Sequence, residues 1–491
     1  LVYHSNTLAS AIVLYSLGQF LSTLFSVFVL LFPVKNAKIG KMKRKEGIAM
    51  KFITILLCKI LAFIGKLVGK GSSLPGKFAL KLCPDILTRL QLPENIIAIT
   101  GSNGKTSTVE MVAGILNAAG KKVIYNKEGS NQIEGVTTLL LKSASFSGKV
   151  DGDVVLLESD ERYARHTFKQ IKPTIFVITN LYRDQLTRNA HPFHIYNIIG
   201  DAVALIPNAR LVLNADDPIV RNFGYGRENV EYFGMARNGL STMQTDAVYN
   251  DCHYCPRCKA PMHYDFFHYA HLGSYHCTAC DYSRPDTAYT VENMDLEAGH
   301  ILINGNPISL EFASKYNVYN LCAAFASAKI LGVDEAIISR ELNDFVMKNG
   351  RIVRFACGEN QGLLITSKHE NSTSYNQSLS YVAMQPEKST LVIIVDAISR
   401  KYFTGETSWL WDINFDLLSS EKVDKIILCG KYVNDLALRF SFTAVAEDKL
   451  VLHESVSEAA EYLKENGSEE LFVVTCFSDR DKLLNLVERE G

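Results

Sequence analysis

Hydrophobic and polar positions follow different patterns in successive parts of the chain. The 25 residues from Leu8 to Phe32 carry no charge, and that length is enough to span a bilayer. After Pro93, short apolar runs alternate with amphipathic stretches, which predicts strand–helix units of a parallel sheet covered on both faces. A second alternation of this kind begins near residue 390. The pattern therefore predicts an α/β protein with at least two sheets.

These changes divide the chain into four predicted segments. Residues 1–49 form the unusual N-terminus, and 50–92 form an N-terminal helical segment. A central domain covers 93–345, and a small C-terminal α/β domain covers 346–491. In the central domain we predict strands at Asn95–Thr100, Asp153–Glu158, Thr174–Asn180 and Arg210–Asn214. In the C-terminal domain we predict them at 390–396, 424–430, 449–454 and 470–475.

The N-terminal 49 residues allow two interpretations. Six basic residues follow the apolar run, which by the positive-inside rule would make 8–32 a membrane anchor with the remaining chain in the cytoplasm. Alternatively, 1–49 is a translated upstream region, because Met50 opens a plausible bacterial start and Arg44–Gly47 can be encoded by a ribosome-binding purine run. Residues 50–70 carry lysines at helical spacing, which predicts a helix that either packs on the next domain or lies on a membrane surface.

Composition narrows the class of protein. The chain is 47% hydrophobic and 21% charged over 491 residues, which excludes disordered, collagen-like and coiled-coil proteins. Lys and Arg number 51 against 52 Asp and Glu, so net charge gives no reason to expect a nucleic-acid partner. Eleven cysteines are too few for a disulfide scaffold, and five of them fall between Cys252 and Cys280. That clustering indicates a local metal site instead.

A glycine-rich loop follows the first predicted strand of the central domain. Gly101-Ser-Asn-Gly-Lys-Thr106 lies between an apolar strand and the start of a helix. Its glycines let backbone N–H groups approach phosphate oxygens, and the helix N-terminus adds a favourable dipole. Lys105 can reach the β- and γ-phosphates, and the Thr106 hydroxyl can bind Mg²⁺. We therefore predict an ATP site formed by Gly101, Asn103, Gly104, Lys105 and Thr106.

Two paired cysteine motifs predict a zinc ribbon inserted at 252–285. Cys255, Cys258, Cys277 and Cys280 have the C-x₂-C…C-x₂-C spacing that closes a tetrahedral structural zinc site. Cys252 is a spare cysteine. The nearby histidines are possible substitutes if one cysteine is not a ligand; they are His253, His263, His268, His271 and His276.

The loop resembles that of the Mur ligase and folylpolyglutamate synthase superfamily, and further motifs follow in the superfamily's order. They are Glu158 after a strand, Asn180-Leu-x-x-Asp184, Asn214-Ala-Asp-Asp-Pro218, Tyr316-Asn-x-x-Asn320 and Gly350-Arg351. The resemblance implies that Glu158 and Thr106 hold Mg²⁺, and that Asn317 contacts adenine. It also implies that Arg351 reaches the phosphates and that Lys105, Glu158 and Asp184 are catalytic.

Within that superfamily the chain resembles the MurT family, the synthetase subunits of lipid II isoglutaminyl synthase. The resemblance is carried by the cysteine ribbon, Arg183-Asp-Gln185, Thr407-Ser-Trp-Leu-Trp-Asp412 and Asn434–Arg439. It implies an ATP-dependent ligase that amidates the D-glutamate α-carboxylate of lipid II through an acyl phosphate. Ammonia would come from a GatD-type glutaminase partner, assisted by Glu406 or Asp412. The protein would act in the cytoplasm at the inner face of the membrane.

Two departures from the superfamily keep other functions open. No lysine occurs between Lys172 and Lys259, where amino-acid-adding ligases carry a carbamylated lysine. The family's K-N-P-x-G-x-N segment is Lys368–Asn376 here and lacks its proline and glycine. The first departure argues against the alternative of an amino-acid-adding ligase. The second favours a non-enzymatic, zinc-stabilised nucleotide-binding scaffold.

Overall fold

The computed structural model describes residues 40–67, 73–126, 131–296, 298–310, 315–346, 352–358, 360–397, 405–466 and 470–489. The apolar run 8–32 and the predicted Gly350-Arg351 pair therefore lie outside the described residues. By internal contacts the chain divides into two units. The first unit comprises the chain up to Leu92 together with Ile133–Asp151, and the second comprises Pro93–Gln132 and Gly152–Gly491. The domain boundaries predicted from sequence stay predictions.

The helices are α1 (Gly40–Leu67), α2 (Leu74–Leu82), α3 (Lys105–Ala118), α4 (Ile133–Ser143), α5 (Ala164–Thr167), α6 (Leu186–Asn189), α7 (Pro192–Ala204), α8 (Pro218–Arg221), α9 (Lys315–Ile330), α10 (Glu335–Asn343), α11 (Ser372–Ala383), α12 (Val433–Phe440), α13 (Val456–Asn466) and α14 (Phe477–Leu484). The strands are β1 (Asn95–Thr100), β2 (Val123–Tyr125), β3 (Val154–Glu158), β4 (Ile175–Ile178), β5 (Arg210–Asn214), β6 (Val230–Met235), β7 (Met262–Tyr269), β8 (Leu272–Cys277), β9 (Tyr289–Asp295), β10 (His300–Ile303), β11 (Asn306–Ser309), β12 (Ile352–Cys357), β13 (Asn360–Ser367), β14 (Ser389–Ile394), β15 (Val423–Cys429), β16 (Leu450–His453), β17 (Glu470–Cys476) and β18 (Glu488–Arg489).

The first unit is helical in its described part. Helix α1 packs against α2 and α4, and its inner face buries Ile55, Cys58, Leu61 and Ala62. Lys51 and Lys59 donate hydrogen bonds to the backbone carbonyls of Ser147 and Lys142 at 2.5 and 2.7 Å. Among the described residues, one helical stretch, Gly47–Lys66, has the length and composition to cross a membrane, a test that a core helix of a soluble protein also passes.

The central part of the second unit is built on one large sheet. Among the described residues nine strands join it in the order β11-β10-β9-β6-β5-β4-β1-β3-β2. The pairs from β2 to β9 are parallel, and β10 and β11 complete an antiparallel edge. Strand β1 is buried over five of its six residues, as a strand covered on both faces should be. Helices α3 and α9 contact each other and contribute to one hydrophobic core with the sheet.

The C-terminal part of the second unit has its own sheet. Within the described chain seven strands pair in the order β16-β15-β14-β17-β13-β12-β18, and those from β16 to β13 are parallel. Strand β14 shows why both faces are covered. Leu391 and Ile393 enter one core with Trp409 and Leu436, whereas Val392 and Ile394 enter the opposite core with helix α13. This two-residue period is the one expected of a buried strand.

The cysteine-rich insertion is a separate hairpin. Strands β7 and β8 pair antiparallel and form no part of either large sheet. Cys255 and Cys258 precede the hairpin, Cys277 is the last residue of β8, and Cys280 follows it, so all four lie at its open end. Because the two C-x₂-C turns lie at the same end of one hairpin, their sulfur atoms can converge.

Candidate active site and cysteine cluster

The glycine-rich loop has a conformation that only its two glycines permit. Gly101 has φ +141° and Gly104 has φ +84°, both in the region that side chains disfavour. A Cβ on Gly101 would lie 2.1 Å from Thr179 Oγ1, and one on Gly104 would lie 1.8 Å from Asn320 Oδ1. The loop is also tied to the end of β4, since Asn103 N donates to Asn180 Oδ1 at 2.8 Å. These contacts make a tight turn at the carboxyl end of β1.

Lys105 is buried at the start of α3 and is already paired with a carboxylate. Its ammonium donates to the Gly101 carbonyl and to Glu161 Oε1. Burial by itself would lower the pKa of Lys105, but the nearby carboxylates of Glu161, Asp184 and Glu158 more than offset it, so the pKa lies above its ordinary value. Lys105 is therefore a fixed positive charge at the loop that is predicted to hold phosphate.

Glu158 and Thr106 lie beside the same loop. Glu158 ends β3, and its Cα pairs in register with Ile99 of β1. Its carboxylate accepts a 3.3 Å hydrogen bond from Asn131 Nδ2 and is half-buried. Thr106 is also partly accessible on the first turn of α3. One carboxylate and one hydroxyl next to a phosphate loop are donors that suit Mg²⁺, which keeps several waters and few protein ligands.

Asp184 is buried between the phosphate loop and the C-terminal domain. Asn371 Nδ2 donates to Asp184 Oδ1 at 2.8 Å, and Lys368 Nζ lies 3.5 Å from Asp184 Oδ2. Lys368 Nζ also donates to the Ser102 carbonyl at 2.6 Å, and Asn371 Nδ2 lies 3.1 Å from Asn103 Oδ1. The segment that lacks the family's proline and glycine thus still brings a cation and an amide to the phosphate loop.

The predicted adenine contact, Asn317, lies in the first turn of α9. It is buried, and its Oδ1 accepts no hydrogen bond from any described residue. An amide oxygen of this kind can accept the exocyclic amine of adenine, so the residue fits the predicted ligand. Lys315, two residues earlier, lines a cavity of about 700 Å³ together with residues of α11. Arg351 lies outside the described residues, and its role stays a prediction.

The four predicted zinc ligands converge. Their sulfur atoms all lie within 4.8 Å of one another, with Cys255 Sγ 3.7 Å from Cys280 Sγ and Cys258 Sγ 3.3 Å from Cys277 Sγ. Zinc–sulfur bonds of about 2.3 Å in a tetrahedron give similar separations. The backbone N–H groups of Arg257 and Ala279 donate to two of these sulfurs. The chemistry of the donor set therefore fits a structural zinc ion.

The spare cysteine and two buried histidines lie outside this group. Cys252 is fully buried, and burial raises the pKa of its thiol well above the ordinary value. His268 and His271 face carboxylates, with Nε2 at 3.8 Å from Asp216 and 3.4 Å from Asp217. The hairpin thus uses its cysteines for the cluster and its buried histidines to contact the central sheet.

Asp216 and Asp217 connect the hairpin to the segment that carries Asp184 and to helix α9, which carries Asn317. Asp216 accepts from Arg284 Nε at 2.6 Å and from Tyr319 Oη of α9 at 2.6 Å. Asp217 accepts from the backbone N–H of Leu181 at 2.8 Å, three residues before Asp184. It also caps the short helix α8. These adjacent carboxylates therefore fix the segment of Asp184 and the helix of Asn317.

The two acidic candidates of the C-terminal domain have different surroundings. Glu406 is exposed, and its carboxylate accepts a 2.8 Å hydrogen bond from Ser408 N, which lowers its pKa. Asp412 is buried and pairs with Arg183 Nη1 at 3.3 Å. Burial raises the pKa of Asp412, although Arg183 acts in the opposite direction. The structure therefore separates two residues that the sequence leaves equivalent.

Some residues at the site have no obvious sequence signal. Glu161 is buried against Lys105, but its position three residues after a strand end resembles an ordinary loop. Asp251, which lies just before the cysteine motifs, accepts a 2.8 Å hydrogen bond from Arg183 Nε. Asn320, by contrast, belongs to the motif that supplied Asn317, and its side chain occupies the space beside Gly104. That pairing could have been anticipated from the requirement for glycine.

Comparison with known proteins places the chain in a family. A family model of the Mur ligase middle domain matches residues 99–328, and one of the MurT ligase C-terminal domain matches residues 369–479. The MurT subunit of lipid II isoglutaminyl synthase (glutamine-hydrolyzing) from Streptococcus pneumoniae is 30% identical over 85% of this chain and 92% of its own length. The chain belongs to the MurT family. The corresponding subunit from Staphylococcus aureus is 30% identical over 80% of this chain and 88% of its own.

Solved structures agree on the fold. A pseudomurein peptide ligase type C from Methanothermus fervidus superposes with a TM-score of 0.64 at 22% identity, over 82% of this chain and 80% of its own. The predicted α/β fold with a Mur-ligase-type central domain and a C-terminal α/β domain is thereby confirmed. The prediction that this MurT-family chain is a ligase is confirmed as well. The individual site residues stay predictions.

Proposed function

We propose that the chain is the synthetase subunit of a lipid II amidating enzyme. The D-glutamate α-carboxylate of lipid II attacks the γ-phosphorus of ATP, the bond to the bridging β–γ oxygen breaks, and ADP leaves. Ammonia then attacks the acyl carbon, phosphate leaves with one carboxylate oxygen, and loss of a proton gives the amide of D-isoglutamine. The observation that carries the proposal is the meeting of Lys105, Lys368, Asn371 and Asp184 at one glycine-rich loop in a MurT-family chain.

Each residue has a role that its position supports. Lys105 exchanges Glu161 for the β- and γ-phosphate oxygens when ATP binds. Lys368, which reaches the loop carbonyl of Ser102, neutralises charge on the transferred phosphoryl group. Asp184 holds Lys368 and Asn371 against the loop. Positioning and charge compensation are the main requirements of phosphoryl transfer, and neither needs a protein nucleophile.

Mg²⁺ and zinc have separate roles in this proposal. Thr106 and Glu158 would hold Mg²⁺, which supplies charge neutralisation at the phosphates. The four cysteines would hold zinc, which supplies stability to the hairpin. Asn317 orients the adenine through its buried amide oxygen.

The ammonia comes from a GatD-type glutaminase partner, in keeping with relatives that are named as subunits of a glutamine-hydrolyzing enzyme. Of the two acidic candidates, Glu406 is the one that faces the partner, because it is exposed and its carboxylate is ionised. Asp412 is engaged by Arg183 within the chain. We expect Glu406→Gln to lower glutamine hydrolysis by the complex at least tenfold, with Asp412→Asn as the comparison that leaves hydrolysis near the wild-type rate.

The test combines the chain and the glutaminase with lipid II, ATP, Mg²⁺ and glutamine. Mass spectrometry should show a carboxylate converted to an amide, with one ADP formed for each amide. Ammonium chloride should replace glutamine and the partner, which isolates the synthetase reaction. Lys105→Ala should lower product formation about 10³-fold. Lys121→Ala, three residues beyond the C-terminal end of α3, is the matched control. Addition of an amino acid, or unchanged lipid II with intact ATP, would refute the proposal.

A further inference from the structure

The outer face of helix α1 is apolar and exposed. Ile48, Phe52, Ile60 and Phe63 lie on that face and expose 59, 43, 46 and 67% of their surface. They are spaced so that they project from the side of the helix opposite to its buried residues. A soluble helix normally turns polar residues outward, so this face is unusual.

Neighbouring residues of the first unit extend the apolar surface. Leu74 and Phe78, one turn apart on α2, are 51 and 39% exposed, and Phe146 is 48% exposed with its ring centroid 5.1 Å from that of Phe52. Seven of the nineteen large hydrophobic residues exposed in the described chain therefore lie in this small unit. We call these seven residues the outer apolar surface. Exposed apolar residues concentrated in this way mark an interaction surface.

The charge of the same unit indicates what the surface contacts. Residues 47–67, 73–92 and 133–151 carry eight basic and three acidic side chains, whereas the whole chain has a net charge of −1. Lys66, Lys77 and Lys81 are exposed and lie within three residues of Phe63 or Phe78 in the sequence. Lysine is depleted at the centres of protein–protein interfaces, whereas phenylalanine and leucine combined with lysine are typical of helices that lie on anionic membranes.

We propose that the outer apolar surface docks on an anionic phospholipid bilayer. Phe52, Ile60 and Phe63 enter the boundary between headgroups and acyl chains, and the lysines contact lipid phosphates. The inner face of α1 stays packed on α2 and α4, so the unit lies on the bilayer as a folded body. The inference rests on the surface of the first unit and not on the proposed reaction.

The experiment uses the full chain. Because the apolar run 8–32 would act on neutral and anionic vesicles alike, the readout is the difference between the two kinds of vesicle. An environment-sensitive fluorescent amino acid replaces Phe63 in one protein and Phe442, 66% exposed in the C-terminal domain, in a second. Vesicles contain phosphatidylcholine with or without one quarter phosphatidylglycerol, and a lipid nitroxide near the headgroup acts as quencher. We expect a blue shift and quenching at position 63 with the anionic vesicles, and no change at position 442.

Charge reversal tests the role of the lysines. Lys66→Glu with Lys77→Glu and Lys81→Glu should weaken the lipid dependence of the probe at position 63 at least tenfold. The control combines Lys169→Glu, Lys388→Glu and Lys464→Glu, all exposed in the second unit, and should leave it unchanged. Circular dichroism confirms that each variant is folded. No quenching at position 63, equal quenching by neutral vesicles, or a probe already shielded without lipid by a protein surface would each overturn the proposal.

These measurements need neither ATP nor lipid II. Lipid docking without amidation would therefore refute the proposed function alone, and amidation without docking would refute this inference alone.

Discussion

The guanidinium of Arg183 joins Asp412 of the C-terminal domain to the segment that follows β4. Arg183 Nη1 lies 3.3 Å from Asp412 Oδ1, while Nε of the same group donates to Asp251 at 2.8 Å. One cation thus compensates two buried carboxylates. Removal of the cation leaves Asp412 without a partner charge and leaves Asp251 only its histidine neighbours, with His191 Nε2 at 3.5 Å, whereas removal of Asp412 leaves the Arg183–Asp251 pair intact.

This asymmetry gives a stability prediction. Arg183→Met should lower the free energy of unfolding by roughly 2 kcal/mol, a value below that for fully buried pairs because Arg183 is partly exposed. Asp412→Asn should cost less than about 1 kcal/mol. Urea denaturation at pH 7 measures both. Arg165→Met, which breaks an exposed pair with Asp201, is the control and should be nearly neutral. Equal costs for the first two variants would contradict the shared-cation interpretation.

The Lys105–Glu161 pair should affect stability, whereas Lys105 alone should affect ATP turnover, so two variants can distinguish these roles. Lys105→Ala leaves Glu161 buried without its partner and should destabilise the chain by about 3 kcal/mol, while ATP turnover falls about 10³-fold. Adding Glu161→Gln should restore most of the stability and none of the turnover. Thermal denaturation and an ADP-release assay provide the two readouts. A double variant no more stable than Lys105→Ala would show that the unpaired charge of Glu161 is not what destabilises the single variant.

The cysteine cluster predicts one zinc ion for each chain. Cys258→Ser should lose that zinc. The melting temperature should then fall, because no metal ion links the remaining sulfurs at the open end of the hairpin. Cys252→Ala, a buried cysteine outside the group, should retain the full zinc content. Atomic absorption of the purified variants measures this directly. Zinc loss in Cys252→Ala with retention in Cys258→Ser would overturn the ligand assignment.

His271 should make stability depend on pH. Burial alone would lower its pKa, but Asp217 and Asp251 offset this effect and raise it above 6.5. A histidine with a raised pKa in the folded state contributes stability that is fully present below about pH 6.5 and is lost as pH rises through the folded-state value. His271→Gln should therefore reduce stability more at pH 6 than at pH 9, as measured by urea denaturation. The reverse order would mean that the buried ring is neutral.

Local signals in the sequence were sufficient for much of the nucleotide site. The turn at Gly101–Thr106 lies between β1 and α3, as predicted, because a short buried strand and a glycine-rich turn are specified by adjacent residues. The predicted strands of both alternating regions also correspond to observed strands. The four cysteines converge because the hairpin β7–β8 brings two short motifs together.

Contacts between segments that are distant in the sequence could not be predicted from local sequence signals. The meeting of Lys368 and Asn371 with Asp184 depends on how the C-terminal domain packs on the central sheet, which no local pattern specifies. Glu161 has the same limitation, because its importance comes from burial beside Lys105. The division of roles between Glu406 and Asp412 likewise depends on exposure and on Arg183.

The contact between Gly104 and Asn320 has a consequence for the design of chimeric ligases. Because the amide of Asn320 occupies the volume that a Cβ at position 104 would need, the shape of the loop and the register of α9 are not independent. Exchanging residues 93–300 alone between homologues would transfer the loop without Asn320, the side chain that packs against Gly104. A functional exchange must carry both positions, so the smallest transferable cassette for this nucleotide site extends through α9.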